Sequence, residues 1–215
     1  MKRTLAINCL AVFLLCSFFT TEARAIGIGL NLTGGGGISE WEIEQDFFPY
    51  TKYDIDVDVA RGGIGFIFDT TVSKNRLFNY RLNIGSEAAE YDIDGGGTFD
   101  TRGWFMAHDF GFGLIRKKNL RLWAGPEVRL SYSQGERETD SNTELYMATI
   151  GVGPVIGLNL NFRNSVSLAL KVGALSMGGG GYIEDKTSGL DQDITEEGSY
   201  SFVNVGVIFR LGDNY

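Results

Sequence analysis

Apolar and polar residues alternate in eight segments of the chain, and the segment nearest the end, Ser201–Tyr215, shows this most clearly. Because successive side chains of a β-strand point to opposite faces, each segment predicts a strand with one apolar face. In Ser201–Tyr215 that face carries Val203, Val205, Val207, Phe209 and Leu211. The predicted strands are Ile26–Thr33, Ile55–Asp69, Leu77–Ser86, Arg102–Ile115, Leu120–Tyr132, Tyr146–Leu158, Ser165–Ser176 and Ser201–Tyr215.

The connections between these segments alternate in length. Three are predicted to be short turns and four to be long, acidic, glycine-rich loops. Short turns at one end and long loops at the other are typical of an even-stranded membrane barrel. In the second strand the apolar residues change parity between Val59 and Ile64, and a β-bulge near Gly62-Gly63 would explain the change. The long loops cover residues 34–54, 87–100, 134–144 and 178–198.

The second face of these strands is polar and often charged. A soluble eight-stranded barrel has the reverse arrangement, with an apolar interior, so we expect the charged face to line the lumen of a membrane barrel. Eight strands leave only enough interior for side chains to fill. The predicted lumen charges are Arg81, Asp109, Arg121, Glu127, Arg129, Lys171 and Arg210.

Three roles are compatible with such a lumen. Paired charges would form a plug that closes the barrel. A narrow conduit for small solutes is the alternative, and five basic against two acidic residues would favour anions. A passive surface or adhesion role of the loops is the third.

The N-terminus has the features of a secretory signal peptide. Lys2 and Arg3 precede the apolar run Leu5–Phe19, and Ala23-Arg24-Ala25 provides a small-x-small cleavage site. The run is too short for a membrane-spanning helix. We therefore expect a signal peptide over residues 1–25 and a barrel over residues 26–215.

Cleavage would also change the composition of the chain. Both cysteines lie in the signal, so the mature protein would have neither a disulfide nor a cysteine metal site. Residues 26–215 have a formal net charge of −10, from 16 basic and 26 acidic residues. This balance argues against a nucleic-acid partner.

The final strand resembles the C-terminal signal of bacterial outer-membrane barrels. The residues that carry this resemblance are Asn204, Gly206, Phe209, Leu211 and Tyr215. With the signal peptide and the eight strands, the chain resembles the small Gram-negative outer-membrane barrels, such as the OmpA barrel and the OmpW family.

The resemblance implies an all-β, eight-stranded antiparallel up-and-down transmembrane β-barrel in the outer membrane. Its expected partners are the barrel-assembly machinery, membrane lipid and lipopolysaccharide. An OmpW-like barrel would also open laterally to apolar solutes, near Gly62-Gly63 or Gly151–Pro154.

Candidate chemistry is sparse. Weak metal candidates are Asp54, Asp56, Asp58, Asp92 and Asp94, since carboxylates suit Mg²⁺ and Ca²⁺. The loop acids would either keep the loops soluble or bind divalent cations that bridge to lipopolysaccharide. His108, the single histidine, shares the lipid-facing parity of Met106, whereas Asp109 has the opposite parity. We therefore expect no catalytic site, although a lipid-modifying barrel enzyme is the third and weakest alternative, and no cofactor.

Overall fold

A computed structural model describes residues 26–45, 51–70, 77–162, 165–187 and 189–211. They form one antiparallel sheet of eight strands, in which each strand pairs with its sequence neighbours and the last pairs with the first to close a barrel. The predicted signal peptide and Tyr215 lie outside the described residues. The strands are β1 (Ile26–Gln45), β2 (Thr51–Asp69), β3 (Phe78–Ile93), β4 (Gly97–Arg116), β5 (Leu120–Arg137), β6 (Asp140–Phe162), β7 (Val166–Asp185) and β8 (Leu190–Leu211).

The strands are tilted within the barrel wall. Following the paired residues once around the ring from Asn31 leads back to Trp41, ten positions further along β1. Such a stagger requires strands that are strongly inclined to the barrel axis, and eight of them enclose an interior that side chains can fill. No helix among the described residues is long and apolar enough to span a membrane.

The prediction of four long loops was wrong. Every strand has between 16 and 23 residues, and most residues assigned to loops continue the strands. Residues Gly34–Gln45, for example, pair with Thr51–Gly62. The described upper connections are tight turns, and Gly95 and Gly189 adopt positive φ angles of 72° and 67° there, which glycine tolerates without steric cost. We call the end at which β1 begins and β8 ends the lower end, and the opposite end the upper end.

The predicted bulge near Gly62-Gly63 is also absent. β2 stays in continuous register with β1 and β3 through both glycines, and β6 keeps one register with β7 on either side of Pro154. Neither position where a lateral opening was expected therefore carries a register shift, although the pairing of β6 with β7 is interrupted at Gly153 and Pro154. Register shifts occur instead between Gly113 and Ile115 and between Glu136 and Arg137.

The exterior of the lower half is a belt of apolar side chains. Large residues such as Leu32, 63% exposed, and Phe66, 57% exposed, point away from the barrel. An outward-facing apolar band is the feature that adapts a barrel wall to a lipid bilayer. Alternation in this half therefore places the apolar side chains outside, as expected for a membrane barrel.

In the upper half the alternation is reversed. Acidic side chains cover the exterior, and apolar side chains fill the interior as in a soluble barrel. We call this interior cluster the apolar cap. Its members are Trp41, Ile43, Val57, Val59, Ala89, Tyr91, Ile93, Phe99, Leu145, Met147, Ile183 and Ile194.

Candidate functional site

The interior of the lower half holds a chain of charged side chains below the apolar cap. Each of the seven residues assigned to the lumen lies inside the barrel and is at most 7% exposed. Strand alternation places them there, because each shares the parity of the inward-facing positions of its strand. They fall into three groups along the barrel.

The lower group is built around Arg81. Its Nη2 and Nε donate hydrogen bonds to the Asp69 carboxylate at 2.7 and 3.1 Å, and Nη2 also donates to Asn159 Oδ1 at 2.9 Å. The guanidinium lies 5.1 Å from the Trp123 ring centroid, within cation–π range. Arg121 lies in the same region, and Arg210 donates to the backbone carbonyls of Phe162 and Val166.

The middle group centres on Lys171. Its Nζ lies 2.9 Å from Asp109 Oδ1 and 2.7 Å from Glu127 Oε2. Asn83 donates to Asp109 Oδ2 at 3.1 Å and accepts from Asn31 at 3.2 Å. One ammonium group therefore links carboxylates from β4 and β5 across the barrel interior.

The upper group lies directly beneath the apolar cap. Arg129 forms a hydrogen-bonded ion pair with Glu87, and Arg61 lies 3.7 Å from Glu87 and 4.0 Å from Glu196. Arg61 also donates to Tyr91 Oη at 3.1 Å, and Ser39 donates to Glu196 at 2.7 Å. The tyrosine belongs to the apolar cap, so the charged network and the cap are physically joined.

Four of these partners escaped the sequence prediction, namely Arg61, Asp69, Glu87 and Glu196. All are buried, and all continue the inward parity of their strands. Glu87 and Glu196 were missed because they fall in segments assigned to loops. With them, the buried charges of the described interior are six basic and five acidic residues, which removes most of the basic excess expected from sequence. Half-buried Arg137 also packs on the ring of Phe99 in the apolar cap.

A row of six acids lies on the exterior of the upper half. Each is paired directly with the next across neighbouring strands, from β3 to β8. Like charges placed directly opposite one another destabilise a sheet, so this row is electrostatically unfavourable. Its members are Glu90, Asp100, Glu136, Glu144, Glu184 and Asp191.

The weak metal candidates lie on the same exterior surface. Asp54, Asp56 and Asp58 follow one another along β2, Asp92 pairs with Asp58, and Asp94 follows β3. Among the described residues, no three His, Cys, Asp or Glu side chains form a group that could hold a metal ion.

His108 lies on the outer face of β4, and Tyr80 Oη is 2.7 Å from its Nδ1. Asp109 points into the lumen and contacts Lys171. The two neighbouring residues therefore serve different surfaces and cannot form a catalytic pair.

The residues of the proposed assembly signal divide between the two faces of β8. Phe209 and Leu211 are 55% and 53% exposed on the outer face, whereas Asn204 is buried in the lumen. Gly206 also faces inward, where an added Cβ would lie 2.6 Å from Ile67 Cδ1. The small residue therefore leaves space for an interior side chain.

A solved structure shares this architecture. The outer membrane protein OprG from Pseudomonas aeruginosa superposes with a TM-score of 0.70 at 12% sequence identity, over 89% of this chain and 98% of that one. The fold is that of an outer-membrane β-barrel. Together with the apolar belt, this confirms the predicted fold class and supports a location in the outer membrane.

Two further structures match less closely. The outer membrane protease OmpT from Escherichia coli matches with a TM-score of 0.45 at 8% identity, over 88% of this chain and 97% of that one. Ail, the attachment invasion locus protein of Yersinia pestis, matches with a TM-score of 0.39 at 9% identity, over 86% and 98%. No protein-family model matches the chain, and no curated protein matches it.

Proposed function

We propose that this protein is a closed outer-membrane barrel with a structural or surface role, and that it does not conduct solutes. The observation that carries the proposal is the succession of buried side chains inside the barrel, in which three ion-paired groups are followed upward by the apolar cap. Buried charges are tolerated when they are paired and hydrogen-bonded, and Arg81, Arg129 and Lys171 each form such a pair. A solute passing through would have to break ion pairs and then displace packed aromatic side chains.

The upper half supports the surface part of the proposal. Its acidic exterior and apolar interior suit a wall surrounded by water rather than lipid. We propose that it projects from the cell surface, with the lower end in the periplasm as in other barrels of this type. Tight turns and continuous strand pairing would make it a rigid extension.

Site-specific labelling tests this orientation. A cysteine in place of Ser141, exposed at the upper start of β6, should react with a membrane-impermeant maleimide on intact cells. A cysteine in place of Lys117, in the exposed turn at the lower end, should react only after the outer membrane is permeabilised. The reverse pattern would contradict the proposed orientation.

Proteoliposome swelling tests closure to neutral solutes. Liposomes containing the refolded barrel should swell in arabinose no faster than empty liposomes, whereas liposomes containing a general porin should swell rapidly. Swelling that rises with the amount of folded barrel would instead favour the narrow conduit.

A further inference from the structure

The boundary between the apolar belt and the acidic exterior differs around the barrel. On β2 and β3, the two outward residues directly below the first acid are small, namely Gly62 and Ala60 on one strand and Ser86 and Ala88 on the other. On β4 and β5 both corresponding positions carry larger side chains, whereas on β6 and β7 only the upper one does, because Ala148 and Gly180 occupy the lower ones. The six larger residues, which we call the Arg102 patch, are Arg102, Trp104, Tyr132, Gln134, Tyr146 and Tyr182.

Strand pairing brings the Arg102 patch together. Arg102 pairs with Gln134, Gln134 with Tyr146, and Tyr146 with Tyr182, so the four lie side by side on consecutive strands. The two tyrosine rings are stacked, with centroids 4.6 Å apart and planes inclined by 17°. Trp104 and Tyr132 form a cross-strand pair in the row beneath.

Hydrogen bonds orient the upper edge of the patch. Tyr146 Oη donates to Glu144 Oε2 at 2.5 Å, and Lys186 forms an ion pair with the same carboxylate. This hydrogen bond fixes the hydroxyl of Tyr146, and its ring lies against Tyr182.

Arg102 differs from the other exposed basic side chains in its position. Among the described residues, the other exposed basic side chains lie near the upper or lower ends, and Arg102 is the only one on the exterior at this boundary. A surface cavity of about 410 Å³ adjoins it on the side of β2 and β3 and is lined in part by Ala60, Gly62 and Ala88. Their small side chains leave the guanidinium accessible from the membrane side, while Glu90 and Asp100 lie above it.

We propose that the Arg102 patch binds the phosphorylated saccharide headgroup of lipopolysaccharide, with a phosphate on Arg102 and sugar rings on the tyrosines. A guanidinium binds phosphate through two parallel hydrogen bonds. The aromatic surface that the stacked Tyr146–Tyr182 pair leaves exposed suits the apolar faces of sugar rings. Gln134 Oε1 accepts a hydrogen bond from Tyr132 Oη at 3.3 Å, and its Nε2 can donate to the sugar hydroxyls. Trp104 and Tyr132 would meet the start of the acyl chains, since aromatic residues favour the membrane interface.

The spacing favours a glycolipid over a phospholipid. Arg102 and Tyr146 lie two strands apart, roughly 10 Å, because neighbouring strands are about 4.8 Å apart. A phosphorylated disaccharide can contact both positions, whereas a single phosphoglycerol headgroup reaches Arg102 alone. The inference requires an outer-membrane barrel but is independent of whether the lumen is closed.

Lipid titration of the refolded, detergent-solubilised barrel in EDTA tests the proposal. Lipopolysaccharide should bind the wild-type protein at least tenfold more tightly than phosphatidylglycerol. Arg102→Ala should weaken lipopolysaccharide binding by roughly tenfold, the usual effect of losing a hydrogen bond to a charged group, and Tyr182→Ala should weaken it to a smaller extent. Lys52→Ala, which removes an exposed cation outside the patch, is the matched control and should have no effect. Heat-modifiable gel migration should show that each variant is folded.

Three results would overturn the proposal. Unchanged binding by folded Arg102→Ala would exclude the arginine contact. Equal affinity for phosphatidylglycerol and lipopolysaccharide would show that no saccharide is recognised. Binding that requires Mg²⁺ and is lost in Glu136→Gln but retained in Arg102→Ala would assign lipopolysaccharide to the acidic row instead.

Discussion

Val59 and Phe66 lie on the same uninterrupted strand but face opposite sides of the barrel wall. Val59 is 7% exposed and belongs to the apolar cap, whereas Phe66 is 57% exposed and belongs to the belt. Their odd separation of seven residues puts them on opposite faces. We interpret the change of apolar parity along β2 as a change of surroundings, from lipid outside the lower half to water outside the upper half, as in the proposed orientation.

A charge in the belt should destabilise the barrel according to its depth. Phe66 lies between Ile64 and Phe68 in the outward row of β2, whereas Phe209 lies near the lower end of β8. Phe66→Arg should lower the free energy of unfolding by about 2–4 kcal/mol, and Phe209→Arg by about 0–1 kcal/mol. Reversible folding into phospholipid vesicles measures both. Equal effects would contradict the assigned position of the belt.

In cells the terminal strand should matter for a second reason. If Phe209 is part of the assembly signal, Phe209→Arg should strongly lower the amount of protein in the outer membrane despite its small effect on folding in vitro. Undiminished abundance would argue against the role of Phe209 in the signal.

Removing the central cation should cost more than removing one of its partners. Lys171→Met leaves Asp109 and Glu127 facing each other without their ammonium group, which should destabilise the barrel by about 3–5 kcal/mol. Glu127→Gln leaves Lys171 paired with Asp109 and should cost less than about 2 kcal/mol. Urea unfolding of the refolded variants gives both values. The opposite order, or two negligible effects, would indicate a hydrated interior.

Sequence alternation was sufficient to predict the strands and the inward face of the lower half of the barrel. It predicted eight strands and assigned Arg81, Asp109 and Lys171 to the inward face, because lipid outside and charge inside leave a consistent period of two. It could not identify their partners. Contacts such as those between Lys171 of β7, Asp109 of β4 and Glu127 of β5 depend on ring closure and strand tilt.

The upper half was not predicted because apolar residues were expected to face outward along the whole length of each strand, which holds only for the lower half. Val57 and Val59 have the parity of lumen residues, so an outward apolar face could be kept only by adding a bulge. Acids and glycines around Glu40 and Glu90 were interpreted as loops. Continuing the inward parity of Gly85 by one more residue of that face would have found Glu87, and continuing that of Asp69 back along β2 by four inward positions would have found Arg61.

One lumen glycine is required by a close contact. A Cβ added to Gly157 would lie 2.1 Å from Trp123 Cε2. Gly157→Ala should therefore destabilise the barrel by about 1–3 kcal/mol, the usual cost of overpacking. Gly34→Ala is a matched control on the exterior, where the nearest atom beyond the adjoining residues would be Arg61 O, 4.0 Å from the added Cβ. Thermal unfolding should show little loss for Gly34→Ala, and equal losses would contradict the packing of Trp123.

The acidic row should make stability depend on salt. Glu136 lies between Asp100 and Glu144 in this row, so Glu136→Gln should stabilise the barrel at low ionic strength by less than about 1 kcal/mol. The gain should disappear near 1 M salt, where the Debye length falls to about 3 Å. Gln134→Ala, an uncharged change on the same strand, should show no such salt dependence. Denaturant unfolding at both ionic strengths measures the difference, and a gain that persists in high salt would exclude charge repulsion as its cause.

The most direct test of the closed barrel is single-channel conductance of the purified, refolded protein in planar bilayers. We predict a silent bilayer, without reproducible steps, across an applied voltage range in which a general porin inserted in the same membrane conducts. The charged groups around Arg81, Lys171 and Arg129, with the apolar cap above them, should leave no continuous path for ions. Stable, unitary openings whose ion selectivity changes in Lys171→Met would contradict the account and establish the lumen as a conduit.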